Sequence, residues 1–257
     1  MPKVQNQDGL DIAYRVIGEG DQDVVFVHGW MVSGAVYNDL IPKLDKSAYR
    51  MIVVDLRGTG ESSKDADSYK LSDYVEDVRT VADDAGADSF ALVGHSMGGQ
   101  IAQLFAATYP ERVERMFLLS TVPASGMELP QEAYDLFYNS GQNRDSQGAI
   151  LDMACLDLSQ GSKSRLLDDA AKIPTACIQQ ALVSWTEGGF SDQLGDITAT
   201  TLVVASDDPF LPQEFLQAAV ADPIPNAEIA HIPGAGHYIQ VERTDETAEL
   251  LSSFLNG

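Results

Sequence analysis

At 257 residues, 44% hydrophobic and 21% charged, the chain can bury a substantial core and is neither disordered nor collagen-like. Its formal net charge of −23, from 39 acidic and 16 basic residues, would repel nucleic acid and anionic membranes. No apolar run reaches the ~18 residues that a membrane helix needs, and the start MPKVQNQDGLDIAY lacks the basic and apolar segments of a signal peptide, so a soluble cytoplasmic protein is expected.

Residues 11–18 have mixed alternation and turn-rich flanks, which predicts an antiparallel edge strand. The near-continuous apolar runs at 23–29 and 49–58 both end in glycine, as buried parallel strands do. Between them, 35–44 predicts a short helix with Pro42 towards its end. A helix follows over 71–86, with Ser72 as candidate cap, Leu71, Tyr74, Val75, Val78 and Val81 on one stripe, and Gly86 as its stop. A strand at 89–94, a helix at 97–110 and a strand at 112–121 continue the alternation. It resumes with a strand at 200–208, a helix at 211–222, a strand at 227–236 and a terminal helix at 244–257. Such β–α alternation predicts an α/β fold: a mostly parallel twisted sheet with helices on both faces.

Residues 123–197 interrupt this pattern. They predict four helices, at 130–139, 146–156, 163–171 and 174–186, and no core strand. The expected organisation is therefore a core of residues 1–122 and 198–257 with a helical cap, 123–197, inserted in it. The two cysteines, Cys155 and Cys177, both lie in that insertion without CxxC or metal spacing. Free buried thiols are expected, with a disulfide between them as the alternative, and no metal site is expected.

The chemistry-bearing pattern is Gly94-His95-Ser96-Met97-Gly98, a G-x-S-x-G sequence set between a strand and a helix. A serine on so sharp a turn occupies a strained backbone region, and a Cβ two positions either side would collide. The turn presents the Ser96 hydroxyl at the end of the sheet, beside the first N–H groups of the helix. Met97, next in the chain, is the candidate backbone donor for an oxyanion.

Of the four histidines, His95 lies inside the turn and reads as structural, and His28 reads as shaping the loop after its strand. His231 sits within a predicted strand as filler. His237 follows Gly234-Ala235-Gly236 after the last strand, where a base must hang to reach Ser96. Asp207 and Asp208 both end the strand at 200–208, and either could orient that histidine. Asp55, Arg57 and Gly58 read as a brace for their turn, through an Asp–Arg contact and a positive-φ glycine.

In chain order the sequence shows VVFVHGW, DLRGTGES, LVGHSMGG, TLVVASDDPFLP and HIPGAGH. With these motifs the chain resembles the α/β-hydrolase superfamily, over essentially the whole core. It looks most like bacterial arylesterases, their cofactor-free perhydrolase relatives and small lactone hydrolases. The resemblance implies a Ser96–His237 pair with Asp208 as the acid, since Asp208-Pro209-Phe210-Leu211-Pro212 fits the family's D-x-x-apolar-P pattern and Asp207 is off by one. It also implies Trp30 as the second oxyanion N–H. The implied activity is hydrolysis of a small-molecule ester or lactone, with no cofactor.

Serine at position 96 argues against dehalogenases and epoxide hydrolases, which need an aspartate there. Cofactor-free dioxygenases, hydroxynitrile lyases and carbon–carbon bond hydrolases use similar triads and remain alternatives, as does a non-enzymatic receptor on the same fold. Met127, Leu136, Phe137, Met153 and Trp185 are candidate walls of a pocket under the cap. The acidic surface reads as a solubility adaptation, and the sequence carries no signal for an oligomeric state.

Overall fold

The computed structural model describes all 257 residues. Strands form at Lys3–Gln5 (β1), Asp11–Ile17 (β2), Gln22–Val27 (β3) and Tyr49–Val54 (β4). Helix Leu71–Asp84 (α1), strand Phe90–His95 (β5), helix Met97–Thr108 (α2) and strand Val113–Leu119 (β6) follow. Four helices come next: Gln131–Tyr138 (α3), Arg144–Ala154 (α4), Gln160–Ala170 (α5) and Thr175–Glu187 (α6). The chain then makes strand Thr200–Ser206 (β7), helix Gln213–Leu216 (α7) and strand Ala227–Ile232 (β8), and ends in helices Ile239–Glu242 (α8) and Thr244–Asn256 (α9).

The eight strands make one sheet in the order β1-β2-β4-β3-β5-β6-β7-β8. The β1–β2 and β2–β4 pairs are antiparallel, and the remaining five pairs are parallel. The central strands are covered on both faces: Val24, Val25, Phe26 and Val27 are all fully buried. That two-sided burial is why the sequence there is apolar without alternation.

Several boundaries differ from expectation. β2 is not the edge strand, because Lys3–Gln5 pairs outside it; those three residues are too few and too polar to carry a period. Residues 35–44 form two 3₁₀ turns, Gly34–Tyr37 and Ile41–Lys43, rather than one α-helix. An α-helix there would need an N–H that Pro42 lacks. Ser72 does not cap α1; the Asp73 carboxylate instead accepts the Lys70 N–H at 2.9 Å. β8 stops at Ile232 because Pro233 cannot donate to the ladder. α7 gives way after Leu216 to a π turn over Gln217–Ala221.

α3 to α6 lie between β6 and β7 in the chain. Their apolar faces, among them Phe137, Leu151, Leu167, Ile178 and Trp185, belong to the same buried cluster as the sheet residues. Both cysteines are free.

Candidate active site

Ser96 links β5 to α2 with φ 56° and ψ −122°. For a residue with a Cβ this costs roughly 1–3 kcal/mol and persists only where the surroundings enforce it. They do: the Ser96 N–H donates to Leu119 O at 3.0 Å, and its carbonyl accepts from Gly99, Gln100 and Val122 at 2.9, 3.2 and 3.1 Å. The flanking glycines leave no room for any other residue. A Cβ at Gly94 would stand 2.5 Å from Gly98 O, and one at Gly98 would stand 2.3 Å from Val27 O.

His237 hangs from the loop after β8. Its Nε2 lies 2.9 Å from Ser96 Oγ and its Nδ1 2.6 Å from Asp208 Oδ2. Asp208 is 2% exposed, and its other oxygen accepts the Phe210 N–H at 2.8 Å. The carboxylate is thus fixed with one oxygen left for the imidazole. An acceptor at Nδ1 puts the proton on that nitrogen and leaves the Nε2 lone pair facing the Ser96 hydroxyl. Asp207 turns elsewhere: it accepts the Gly234 N–H at 2.7 Å and stands 3.1 Å from His231 Nε2.

The other two histidines hold backbone. Burial, followed by the nearby His237, pushes the His95 pKa well below its ordinary value. Its neutral ring donates Nε2–H to the His237 carbonyl at 2.9 Å. Burial likewise pushes His28 down. His28 donates Nδ1–H to Gly29 O at 2.8 Å and accepts the Leu56 N–H at 3.1 Å, tying the loop after β3 to the loop after β4.

That first loop runs against the nucleophile, since a Cβ at Gly29 would lie 3.0 Å from Ser96 Cβ. Trp30 follows, and Met31 after it takes a positive φ of 65°. Met97 opens α2, where the first N–H groups have no intrahelical acceptor. The expected Asp55–Arg57 contact does not form. Arg57 makes a bidentate pair with buried Asp77, at 2.7 and 2.8 Å, while Asp55 accepts the Gly34 and Glu61 N–H groups at 2.9 and 3.0 Å. The fork of two parallel bonds to one carboxylate outweighs a contact two residues along the chain. Gly58 does take a positive φ, 82°.

A cavity opens over Ser96 and His237. Trp30, Met127, Phe137 and Trp185 form much of its wall, and every lining residue except Ser96 and His237 is apolar or aromatic. Its free space is about 50 Å³, room for a few waters at ~10–15 Å³ each. Trp30 stacks on Phe137 with centroids 5.3 Å apart and planes 5° from parallel, and its indole N–H donates to Ile178 O at 2.9 Å.

Two expected wall residues are not there. Met153 is 43% exposed, and Leu136 packs partly buried against the core. A helix presents one face, so Phe137 excludes its neighbour Leu136, and Ile150 with Ala154 takes the inward side of α4 in place of Met153. The i, i+4 spacing of Ile150 and Ala154 was a signal available in the sequence. Met31, Val122, Phe210, Leu211 and Tyr238 also line the cavity; of these, Phe210 and Leu211 lie inside one of the quoted motifs, Met31 and Tyr238 directly follow two others, and only Val122 has none beside it. No three His, Cys, Asp or Glu side chains are grouped so that they could hold a metal ion, and no helix is long and apolar enough to cross a membrane.

An eight-stranded, mostly parallel sheet with a serine on a strained elbow and a histidine–aspartate pair beside it defines an α/β hydrolase. The sequence model of the alpha/beta hydrolase fold family matches residues 24–244, and the chain belongs to that family. It is 28% identical over 266 residues to the non-heme chloroperoxidase CPO-A1 of Kitasatospora aureofaciens, covering 96% of this chain and 95% of that protein. Among solved structures it is similar to Est816, described as an N-acyl homoserine lactone degrading enzyme, with 32% identity, a TM-score of 0.82 and coverage of 98% and 100%. The esterase EaEST from Exiguobacterium antarcticum superposes with a TM-score of 0.92 over 99% of each chain; at 22% identity that likeness speaks for the fold.

Proposed function

We propose that this hydrolase cleaves carboxylic esters or lactones through an acyl-Ser96 intermediate. The observation that carries the reading is the continuous chain Ser96 Oγ–His237–Asp208, with links of 2.9 and 2.6 Å. His237 Nε2 takes the hydroxyl proton as Ser96 Oγ attacks the carbonyl carbon. Asp208 stabilises the imidazolium that results. The tetrahedral oxyanion faces the backbone N–H groups of Met97 and Trp30, where one well-placed donor is worth roughly 10²–10³ in rate. His237 then gives its proton to the departing alkoxide. Water, activated by the same imidazole, releases the acid. In a lactone the departing oxygen stays tethered to the acyl chain, so one ring-opened product leaves.

Every one of these steps is a proton transfer or an acyl transfer, and none calls for a cofactor. The apolar cavity favours an apolar acyl or alcohol group, and residues 123–197 act as the cap that supplies most of its roof. The 32% identity to Est816 over 98% of the chain supports including lactones. The negative surface, −23 overall, fits a small-molecule substrate in an aqueous compartment such as the cytoplasm and disfavours nucleic acid and anionic membranes.

The test is turnover of p-nitrophenyl esters of graded chain length beside a lactone series that includes N-acyl homoserine lactones, with wild type and Ser96→Ala. Ester or lactone opening that vanishes in Ser96→Ala supports the reading. No turnover across both series would overturn it. The similarity to a non-heme chloroperoxidase favours a second reading of the same intermediate: hydrogen peroxide in place of water would convert acyl-Ser96 to a peroxy acid. Peroxide-dependent peracid formation from acetate would identify it.

A further inference from the structure

Glu242 ends α8 as a buried carboxylate, 9% exposed, with no cation against it. Its neighbour Arg243 turns its guanidinium to Asp157 instead, at 2.6 Å. Backbone N–H groups fill both carboxylate oxygens. Oε2 accepts from Leu156 at 2.8 Å, Asp157 at 2.7 Å and Gly236 at 3.1 Å, and Oε1 accepts from Tyr238 at 3.3 Å. Burial of an ionised carboxylate is unfavourable unless hydrogen bonds compensate it. Donors converging on both oxygens call for a group that only accepts.

The four donors fall into two pairs. Gly236 and Tyr238 flank His237. Leu156 and Asp157 begin the turn after α4, the helix that brings Ile150 and Ala154 to the cavity wall. The same two segments meet again beside the carboxylate. The His237 N–H donates to Ala154 O at 2.8 Å, and a Cβ at Gly236 would stand 2.3 Å from that oxygen.

We propose that Glu242 is a positioning residue for the reaction. It clamps the backbone on both sides of His237 and registers that loop against the α4–α5 turn. The imidazole therefore stays within hydrogen-bond reach of Ser96, and the base and the Ala154 wall keep a fixed separation. The proposal rests on His237 being the base. A displacement of about 1 Å at such a group costs roughly 10²-fold in rate, so a residue that never touches substrate can still govern turnover.

The experiment compares wild type with Glu242→Gln and Glu242→Asp. Glutamine keeps the shape but offers one acceptor oxygen and turns an NH₂ group towards backbone donors; aspartate keeps the charge but falls one methylene short. Both are expected to keep the far-UV spectrum, to lose roughly 10- to 100-fold in kcat on p-nitrophenyl butyrate, and to hold KM within about threefold. A second readout needs no substrate: the low-field proton resonance of His237 Nδ1–H, bonded to Asp208, should broaden or disappear in Glu242→Gln. If wild type turns over no ester, the proposed reaction fails while this resonance still decides the clamp. Wild-type kcat with an unchanged resonance in Glu242→Gln would overturn the proposal, as would a loss of kcat fully explained by the unfolded fraction. Should both variants fail to fold, hydrogen exchange in the wild-type protein decides. The clamp requires slow exchange at Leu156, Asp157, Gly236 and Tyr238, and fast exchange there contradicts it.

Discussion

Asp207 and Asp208 are neighbours of identical chemistry, and the direction each faces gives them separate roles. At the end of β7 successive side chains point to opposite sides. Asp208 faces inward to His237, and Asp207 faces the Gly234 turn and His231. Asp208→Asn should keep the shape of the site but favour the wrong His237 tautomer, costing on the order of 10⁴ in kcat by analogy with serine proteases. Asp207→Asn should stay within about tenfold of wild type, acting only through loop geometry. Parallel kcat measurements on the two variants decide the register, and a dead Asp207→Asn beside a healthy Asp208→Asn would reverse it. Ser96 and His237 were legible in the sequence because each stands beside glycines at a strand end, where local sequence and position in the sheet coincide. The choice between the aspartates needed the family resemblance. Glu242 was not legible at all: its partners Leu156 and Asp157 lie more than eighty residues away in the chain, and a single glutamate at the end of the short helix α8 carries no motif.

Among the elements, buried strands and long amphipathic helices were the readable ones. β3, β4, β5 and β6 announce themselves because burial on both faces demands apolar runs. β1 escaped because three half-exposed or exposed residues leave no pattern. The short helix expected at 35–44 failed where Pro42 has no N–H to give. Wall residues were the hardest to place, since an apolar residue on a helix reads the same whether it faces a cavity or a neighbour. Phe137 shows what the structure adds: its ring stacks on Trp30, and its centroid lies 6.3 Å from that of Phe210, another residue of the cavity wall. Phe137→Ala should shift relative kcat/KM among ester chain lengths by about 10-fold, the size of a lost wall contact. A uniform loss on all chain lengths would mean that the residue only holds α3 in place.

For the whole molecule the dominant quantity is charge. Of the 39 acidic residues, only Asp55, Asp77, Asp169, Asp208 and Glu242 are buried, so the excess lies at the surface and repels itself. Screening acts over about 10 Å at 0.1 M salt, and compactness gains when such repulsion is relieved. Raising NaCl from 10 mM to 0.5 M should therefore raise Tm, by roughly 2–4 °C for each kcal/mol relieved in a domain of this size. A flat or falling Tm would show that paired surface charges already cancel the excess.

The acyl group on Ser96 is the point on which the whole account turns. Wild-type protein mixed with p-nitrophenyl butyrate, quenched in acid during turnover and examined by peptide mass spectrometry, should carry one butyryl group on the peptide that contains Ser96. Ser96→Ala should carry none and release p-nitrophenol at least about 10³-fold more slowly. Turnover without an acylated Ser96 peptide, or Ser96→Ala activity within tenfold of wild type, would contradict the account.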